Sequence, residues 1–117
     1  MKRSRRTVRL SGLLLEEISR AVQRVVKDPR IQGVTFTKVN VSRDLRSARV
    51  YYSVLGTTER QKAALEGLQS AKGLIKRELS HHVNLRYMPE IEFYFDDTLQ
   101  YAEHIETLLK KIEVTEA

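Results

Sequence analysis

Apolar positions recur every three or four residues from Leu13 to Lys27, at Leu14, Ile18, Ala21, Val22 and Val25, and this spacing predicts an amphipathic first helix. Asp28-Pro29 ends it, because a residue before proline is biased away from the α region. Gly12 interrupts the pattern upstream, so periodicity leaves a backward extension of the helix open. The period then changes. Gly33 to Ser42 is rich in β-branched residues, and Ser47 to Leu55 sets Ala48, Val50, Tyr52 and Val54 against Arg49, Tyr51 and Ser53, which predicts two strands. The polar link Arg43-Asp44-Leu45-Arg46 suits a hairpin turn in which Asp44 bonds local backbone and both arginines project at the tip.

A helical period returns with Ala64, Leu68, Ala71, Ile75 and Leu79, opened by Thr58 and Gln61 at the spacing of a capping box. Gly73 falls near the middle of this stripe, where glycine costs about 1 kcal/mol relative to alanine, so a bend dividing the segment into a helix pair is expected. Close packing beneath the sheet at Ala71 and Gly73 is the structural alternative, and the two roles are compatible. After Pro89, the run Glu90 to Asp96 alternates Ile91, Phe93 and Phe95 with Glu92, Tyr94 and Asp96, a third strand. Asp97 with Gln100 resembles a cap for a last amphipathic helix carrying Tyr101, Ile105, Leu108 and Ile112, ahead of an acidic end. This order predicts an α+β domain with helices against one face of a three-stranded sheet. A helical crossover would allow the second and third strands to run parallel, while strand order stays open.

A chain of 117 residues suits one domain with a real core, and 41% hydrophobic with 31% charged residues excludes both wholesale disorder and a membrane span. Leu13-Leu14-Leu15 runs straight into Glu16-Glu17, so the basic start is not followed by the apolar region of a secretory signal and a cytoplasmic location is expected. With no cysteine, disulfides, thiol nucleophiles and thiolate zinc sites are excluded.

Charge changes the picture more. Five of the first nine residues are basic (Lys2, Arg3, Arg5, Arg6, Arg9), and without them the basic residues, 21 in all, nearly balance the 15 acidic ones. The excess of +6 therefore sits almost entirely in an arm over residues 1–10, ahead of a domain at 11–112 and a flexible tail at 113–117. Such an arm points to a polyanion, RNA above all, although a solubilising terminus has the same composition. Arg20, Arg24 and Lys27 share a stripe opposite the apolar face, which Arg6 and Arg9 join if the helix extends backwards. Arg43 and Arg46 at the hairpin tip, and Lys72, Lys76 and Arg77 at or just beyond the expected bend, complete the candidate RNA contacts. Tyr51 and Tyr94 would stack on bases only if their sheet face is open.

An enzyme would have to use His81-His82 with Asp96, Asp97 and His104. Adjacent histidines on a helix point about 100° apart and no zinc-type spacing occurs, so a solvated helix end is the better account. No phosphate-binding glycine loop or nucleophile elbow is present either. No catalytic residue, metal ligand or cofactor is assigned. A protein-only adaptor docking through Glu103 to Ile112 is a further alternative, separable from RNA binding by its insensitivity to salt.

Three fragments in order, Asp28-Pro29-Arg30, Val39-Asn40-Val41-Ser42-Arg43-Asp44-Leu45 leading to Ala48-Arg49-Val50-Tyr51, and Leu85-Arg86-Tyr87-Met88-Pro89-Glu90-Ile91-Glu92-Phe93, follow the basic start. Together they make the chain resemble the ribosome-binding factor A family, bacterial assembly factors of the small ribosomal subunit, from about Arg5 to Ile112. The resemblance implies a type II K-homology (KH)-like fold, whose element order the chain follows. Ordinary domains of that kind hold a nucleic-acid backbone with a Gly-x-x-Gly loop, which is absent here. The family has an Ala-x-Gly kink instead, corresponding to Ala71-Lys72-Gly73, so phosphate contact would fall to side chains. It also implies non-catalytic binding to the free, immature 30S subunit rather than to joined ribosomes, with assistance to late maturation and 5′-end processing of its 16S rRNA. No cofactor, small-molecule substrate or membrane is implied. A monomer is expected, since no long apolar seam remains beyond the core stripes. A general KH-like RNA-binding protein is the alternative.

Overall fold

A computed structural model of the chain describes residues 4–98 together with Glu106, Leu108 and Leu109. The first helix, α1, spans Arg5–Val25. Ser4 caps it: its Oγ accepts the Thr7 N–H at 3.2 Å, while Thr7 Oγ1 donates to the Ser4 carbonyl at 2.9 Å. The helix thus begins more than two turns before Leu13, and residues 5–10 of the basic arm are part of it. Periodicity missed this start because the buried stripe of Leu14, Ile18 and Ala21 continues backwards through polar Thr7 and Ser11. Gly12 does not stop the helix. It faces open space, where it lowers stability without removing a contact. At the other end α1 stops at Val25, two residues short of Lys27, and Asp28 caps a 3-10 turn over Pro29–Ile31.

The strands are β1 (Thr35–Val41), β2 (Ser47–Ser53) and β3 (Glu90–Phe95), in the order β1-β2-β3. β1 and β2 form an antiparallel hairpin with an irregularity between Phe36 and Lys38, and β2 pairs in parallel with β3 from Ser47↔Glu90 to Tyr52↔Phe95. The parallel pair requires a crossover, which α2 (Thr58–His82) supplies. Phe36, Val39, Val41, Ala48, Val50, Tyr52, Ile91 and Phe93 are buried on one sheet face, in one cluster with Leu14 and Ile18 of α1 and Leu68, Ile75 and Leu79 of α2. Lys38, Arg49 and Tyr94 lie exposed on the other face. This is the α+β, helices-on-one-face arrangement that the element order predicts, with a mixed sheet in the type II KH-like order.

Two expectations for α2 are corrected. Its cap is Thr57, whose side chain accepts the Arg60 N–H at 3.2 Å, rather than Thr58 paired with Gln61. The expected helix pair is one uninterrupted helix through Ala71-Lys72-Gly73, because the buried residues on both sides of Gly73 belong to the same core cluster and outweigh a local cost of about 1 kcal/mol. Nor does Gly73 make a close approach, since an added Cβ would meet nothing within 4 Å. Gly67 does: a Cβ there would lie 3.1 Å from Arg30 Cβ and 3.2 Å from Ile31 Cγ1. The 3-10 turn is clamped onto α2 at this point. Arg60 donates to the carbonyls of Arg30 and Gln32, and the Arg30 guanidinium grips Asp28 at 2.6 Å. Asp28-Pro29-Arg30 is therefore a structural latch. The last helix expected around Tyr101, Ile105 and Ile112 lies outside the described residues, apart from Glu106, Leu108 and Leu109, which are helical and exposed.

Candidate nucleic-acid interface

Three segments far apart in sequence meet at one end of the domain, and each is held there by an identifiable bond. Ser11 Oγ accepts the buried N–H of Val41 at 3.1 Å, fastening the start of α1 to the end of β1. The hairpin tip that follows is knitted internally. Ser42 Oγ bonds Asp44 at 2.7 Å, the Arg46 N–H donates to Asp44 at 3.1 Å and the Ser47 N–H to Ser42 Oγ at 3.0 Å. Leu45 takes a left-handed backbone, φ 62°, an unfavourable conformation for a branched aliphatic residue that turns it back toward the core. Finally, the Glu90 N–H donates to the Arg46 carbonyl at 2.8 Å, which draws residues 84–88 alongside the tip.

The result is a groove in two adjoining parts. One, of about 640 Å³, is lined by Arg5, Arg6, Arg9, Leu10, Leu13, Leu45, Asn84 and Leu85. The other, of about 570 Å³, shares Arg6, Leu10, Leu45 and Leu85 and adds Asp44, Arg46, Arg86, Tyr87 and Met88. Its floor is apolar and its rim cationic. Among the described residues Arg5, Arg6, Arg9 and Arg46 form no ion pair, and Arg86 lies over the Tyr87 ring at 5.5 Å. The carboxylate in the lining, Asp44, is held below its usual pKa by the Ser42 hydroxyl and then by the Arg46 N–H, so it is engaged within its own turn.

Arg5 and Arg6 occupy the first turn of α1, which contains no acidic residue. Cations there oppose the helix macrodipole, at roughly 0.3–1 kcal/mol each, and Arg9 adds like-charge repulsion one turn on. The fold gains nothing from this placement. All three arginines line the groove, and none forms an ion pair among the described residues.

The remaining sequence candidates are distributed differently. Because α1 is continuous, Arg6, Arg9, Arg20 and Arg24 lie within about 60° of one another around its axis. Arg20, however, bonds Glu17 at 3.2 Å, and Arg24 bridges to Glu78 at 2.6 Å and His82 at 2.7 Å on α2. Lys27 follows the helix, exposed, and Arg43 is exposed at the hairpin tip. On α2, Lys76 pairs with Glu90 at 3.0 Å, Lys72 is half-buried and Arg77 exposed, and none of the three lines the groove. Lys2 and Arg3 lie outside the described residues. Sequence reading missed Arg86 and Tyr87 as site residues. The available signal was a cation beside an aromatic in a short loop bounded by Pro89.

Tyr51 and Tyr94 do lie on the open sheet face, 5.8 Å apart, but they are engaged there. Lys38 sits 4.4 Å from the Tyr51 ring, Arg49 5.5 Å from the Tyr94 ring, and the Tyr94 hydroxyl donates to Glu92 at 2.9 Å. The same face carries Asp96, whose pKa the Thr37 hydroxyl and then Thr98 pull down to about 2. Its charges therefore nearly cancel. The histidine–aspartate set is not assembled: His81 and His82 end α2 near the start of β3, whereas Asp96 and Asp97 follow its far end, roughly 20 Å along the strand. His104 lies outside the described residues. Among the described residues no helix is long and apolar enough to cross a membrane.

The family model described as ribosome-binding factor A matches residues 6–109. The ribosome-binding factor A of Desulfatibacillum aliphaticivorans is 43% identical over 112 residues, covering 96% of this chain and 91% of the relative. Among solved structures, the crystal structure of ribosome-binding factor A from Thermus thermophilus is similar at a TM-score of 0.68 and 26% identity, over 76% of this chain and 93% of that one. A homology model of the Thermus thermophilus factor, as fitted into a cryo-electron-microscopy map of its 30S complex, gives 0.58 and 26%, over 81% and 96%. Sequence and fold agree along most of the length, and the chain belongs to the ribosome-binding factor A family.

Proposed function

We propose that this domain binds the free, immature small ribosomal subunit in the cytoplasm as a monomer and, without catalysing a reaction, assists late maturation and 5′-end processing of its 16S rRNA. The observation that carries this reading is the convergence of Arg5, Arg6, Arg9, Arg46 and Arg86 on one groove, whose carboxylate, Asp44, is bonded within its own hairpin turn. Such groups bind phosphates and release counterions, and the rigid frame behind them selects an RNA shape. Support comes also from the fitted Thermus thermophilus factor, which was placed in a complex with the 30S subunit. The groove is the primary contact in this reading. Arg43, the stripe of Arg20, Arg24 and Lys27, and a second group at Lys72, Lys76 and Arg77 beside the Ala71-Lys72-Gly73 segment extend it, with Lys2 and Arg3 continuing the arm. Maturation then follows from preference: a protein that favours one rRNA arrangement shifts the population by no more than its preference for that state.

Co-sedimentation with small subunits, large subunits and joined ribosomes over a salt series tests the reading. Binding confined to free small subunits and falling steeply with salt is expected, and Arg5, Arg6 and Arg9 replaced by alanine should lose affinity and reduce the salt slope by about three. Binding unaffected by salt would favour a protein-only adaptor. Equal binding to every particle would leave a general basic RNA binder.

A further inference from the structure

We infer that the groove takes an unpaired RNA nucleotide, its base against Tyr87 and the leucine floor and its flanking phosphates on the arginine rim. The inference rests on the proposed binding to small subunits and specifies the form of RNA that enters the groove.

Two features of the groove separate a single strand from a duplex. The first is its apolar floor of Leu10, Leu45 and Leu85, which are partly buried against the core and line the groove together with the arginines. A duplex presents phosphates and sugars to such a rim and keeps its base faces stacked inside, so the floor would be covered by nothing of its own kind. An unpaired nucleotide supplies both chemistries at once, an anionic backbone and an apolar base face. The second is Tyr87, which is 76% exposed although it is a large aromatic residue. Its ring contact is the Arg86 guanidinium at 5.5 Å, and among the described residues its hydroxyl has no hydrogen-bond partner. Burial of Tyr87 therefore contributes little to the fold. With Arg86 it forms a pair of flat groups at the mouth of the groove, the type of surface on which splayed bases stack.

Charge favours the same occupant. The lining carries five arginines against Asp44, which is bonded within the hairpin turn. The open sheet face also has two tyrosines, yet its cations already cover those rings and carboxylates stand beside them. The groove combines cations that form no ion pair among the described residues, an apolar lining and a ring that is 76% exposed against 40% for Tyr94, and its lining shares no residue with the Ala71-Lys72-Gly73 segment of α2.

The test uses the full chain and free small subunits, with Tyr87→Ala, Tyr87→Trp and the wild type compared by co-sedimentation over a salt series. Competition by a 12-nucleotide single strand is compared with competition by the same RNA in a duplex. Tyr87→Ala should weaken subunit binding roughly tenfold with an unchanged salt slope, since a stacking surface and no charge is lost. Tyr87→Trp should restore binding, and the single strand should compete at lower concentration than the duplex. Wild-type binding together with an unaffected Tyr87→Ala, a Tyr87→Trp that fails to rescue, or a duplex that competes as well as the single strand overturns this inference alone. A wild-type chain that does not bind small subunits at low salt removes the proposed function and this inference with it.

Discussion

Arg5 and Arg6 show how a residue can be placed against the interest of its own helix. At the first turn of α1 an acidic side chain would stabilise and a basic one destabilises, and neither arginine forms an offsetting ion pair among the described residues. A local rule broken without local compensation fits the RNA contact proposed for these two positions. The double variant Arg5→Glu, Arg6→Glu should therefore melt at a higher temperature than the wild type, by a combined effect of about 1 kcal/mol, while binding small subunits more weakly. Thermal denaturation at low ionic strength and a salt-dependent binding series read the two effects separately. A variant that both melts lower and binds less would mean the arginines serve the fold. Leu45 is a parallel case, a branched residue at φ 62° whose strain is stored in the floor of the groove.

At the level of elements, legibility followed how far each signal was local. β2 and β3 were readable because alternation such as Ile91 and Phe93 against Glu92 and Tyr94 is written along a single strand. The start of α1 was not, because Thr7 and Ser11 continue the buried stripe with hydroxyls whose partners lie at Ser4 and on β1. The groove was half legible: the arm and the hairpin arginines stood out as charge, but their junction with Arg86 and Tyr87 depends on the parallel register that sets Glu90 beside Ser47. The unbroken α2 shows tertiary packing overriding propensity, and its two glycines now separate by environment. Gly73→Ala should stabilise the domain by up to about 1 kcal/mol, because its Cβ enters open space within a helix. Gly67→Ala should cause a net loss of roughly 1 kcal/mol, because its Cβ presses on Arg30 and Ile31 where the Asp28 and Arg60 bonds prevent the turn from retreating. Denaturant melts of the two variants should shift in opposite directions, and shifts of the same sign would refute this assignment of the faces of α2.

Across the whole molecule, charge is divided between binding and holding. Away from the groove, carboxylates tie the elements together: Asp28 holds the 3-10 turn, Glu78 joins α2 to α1 through Arg24, Glu90 joins β3 to α2 through Lys76, and Asp96 links the end of β3 to β1 through Thr37. Each titrates below its ordinary value because a hydrogen-bonded partner favours the ionised form: Arg30 for Asp28, Arg24 for Glu78, Lys76 for Glu90, and the Thr37 hydroxyl for Asp96, which reaches about 2. A carboxylate depressed in the folded state contributes stability that is fully present above its unfolded pKa and is lost as pH falls through the folded one. The melting temperature should therefore change little from pH 7 to about pH 5 and fall between about pH 4 and pH 2. Protonation also raises a net charge that is already +6, adding repulsion among the arginines of the groove. The loss of binding in acid should track unfolding measured by circular dichroism, because the carboxylate links hold the frame behind the groove. Asp96→Asn tests the assignment at the lowest end. It should melt below the wild type at pH 7 and converge with it toward pH 2, and a gap that stayed constant across the range would show that the Asp96–Thr37 link is not coupled to ionisation.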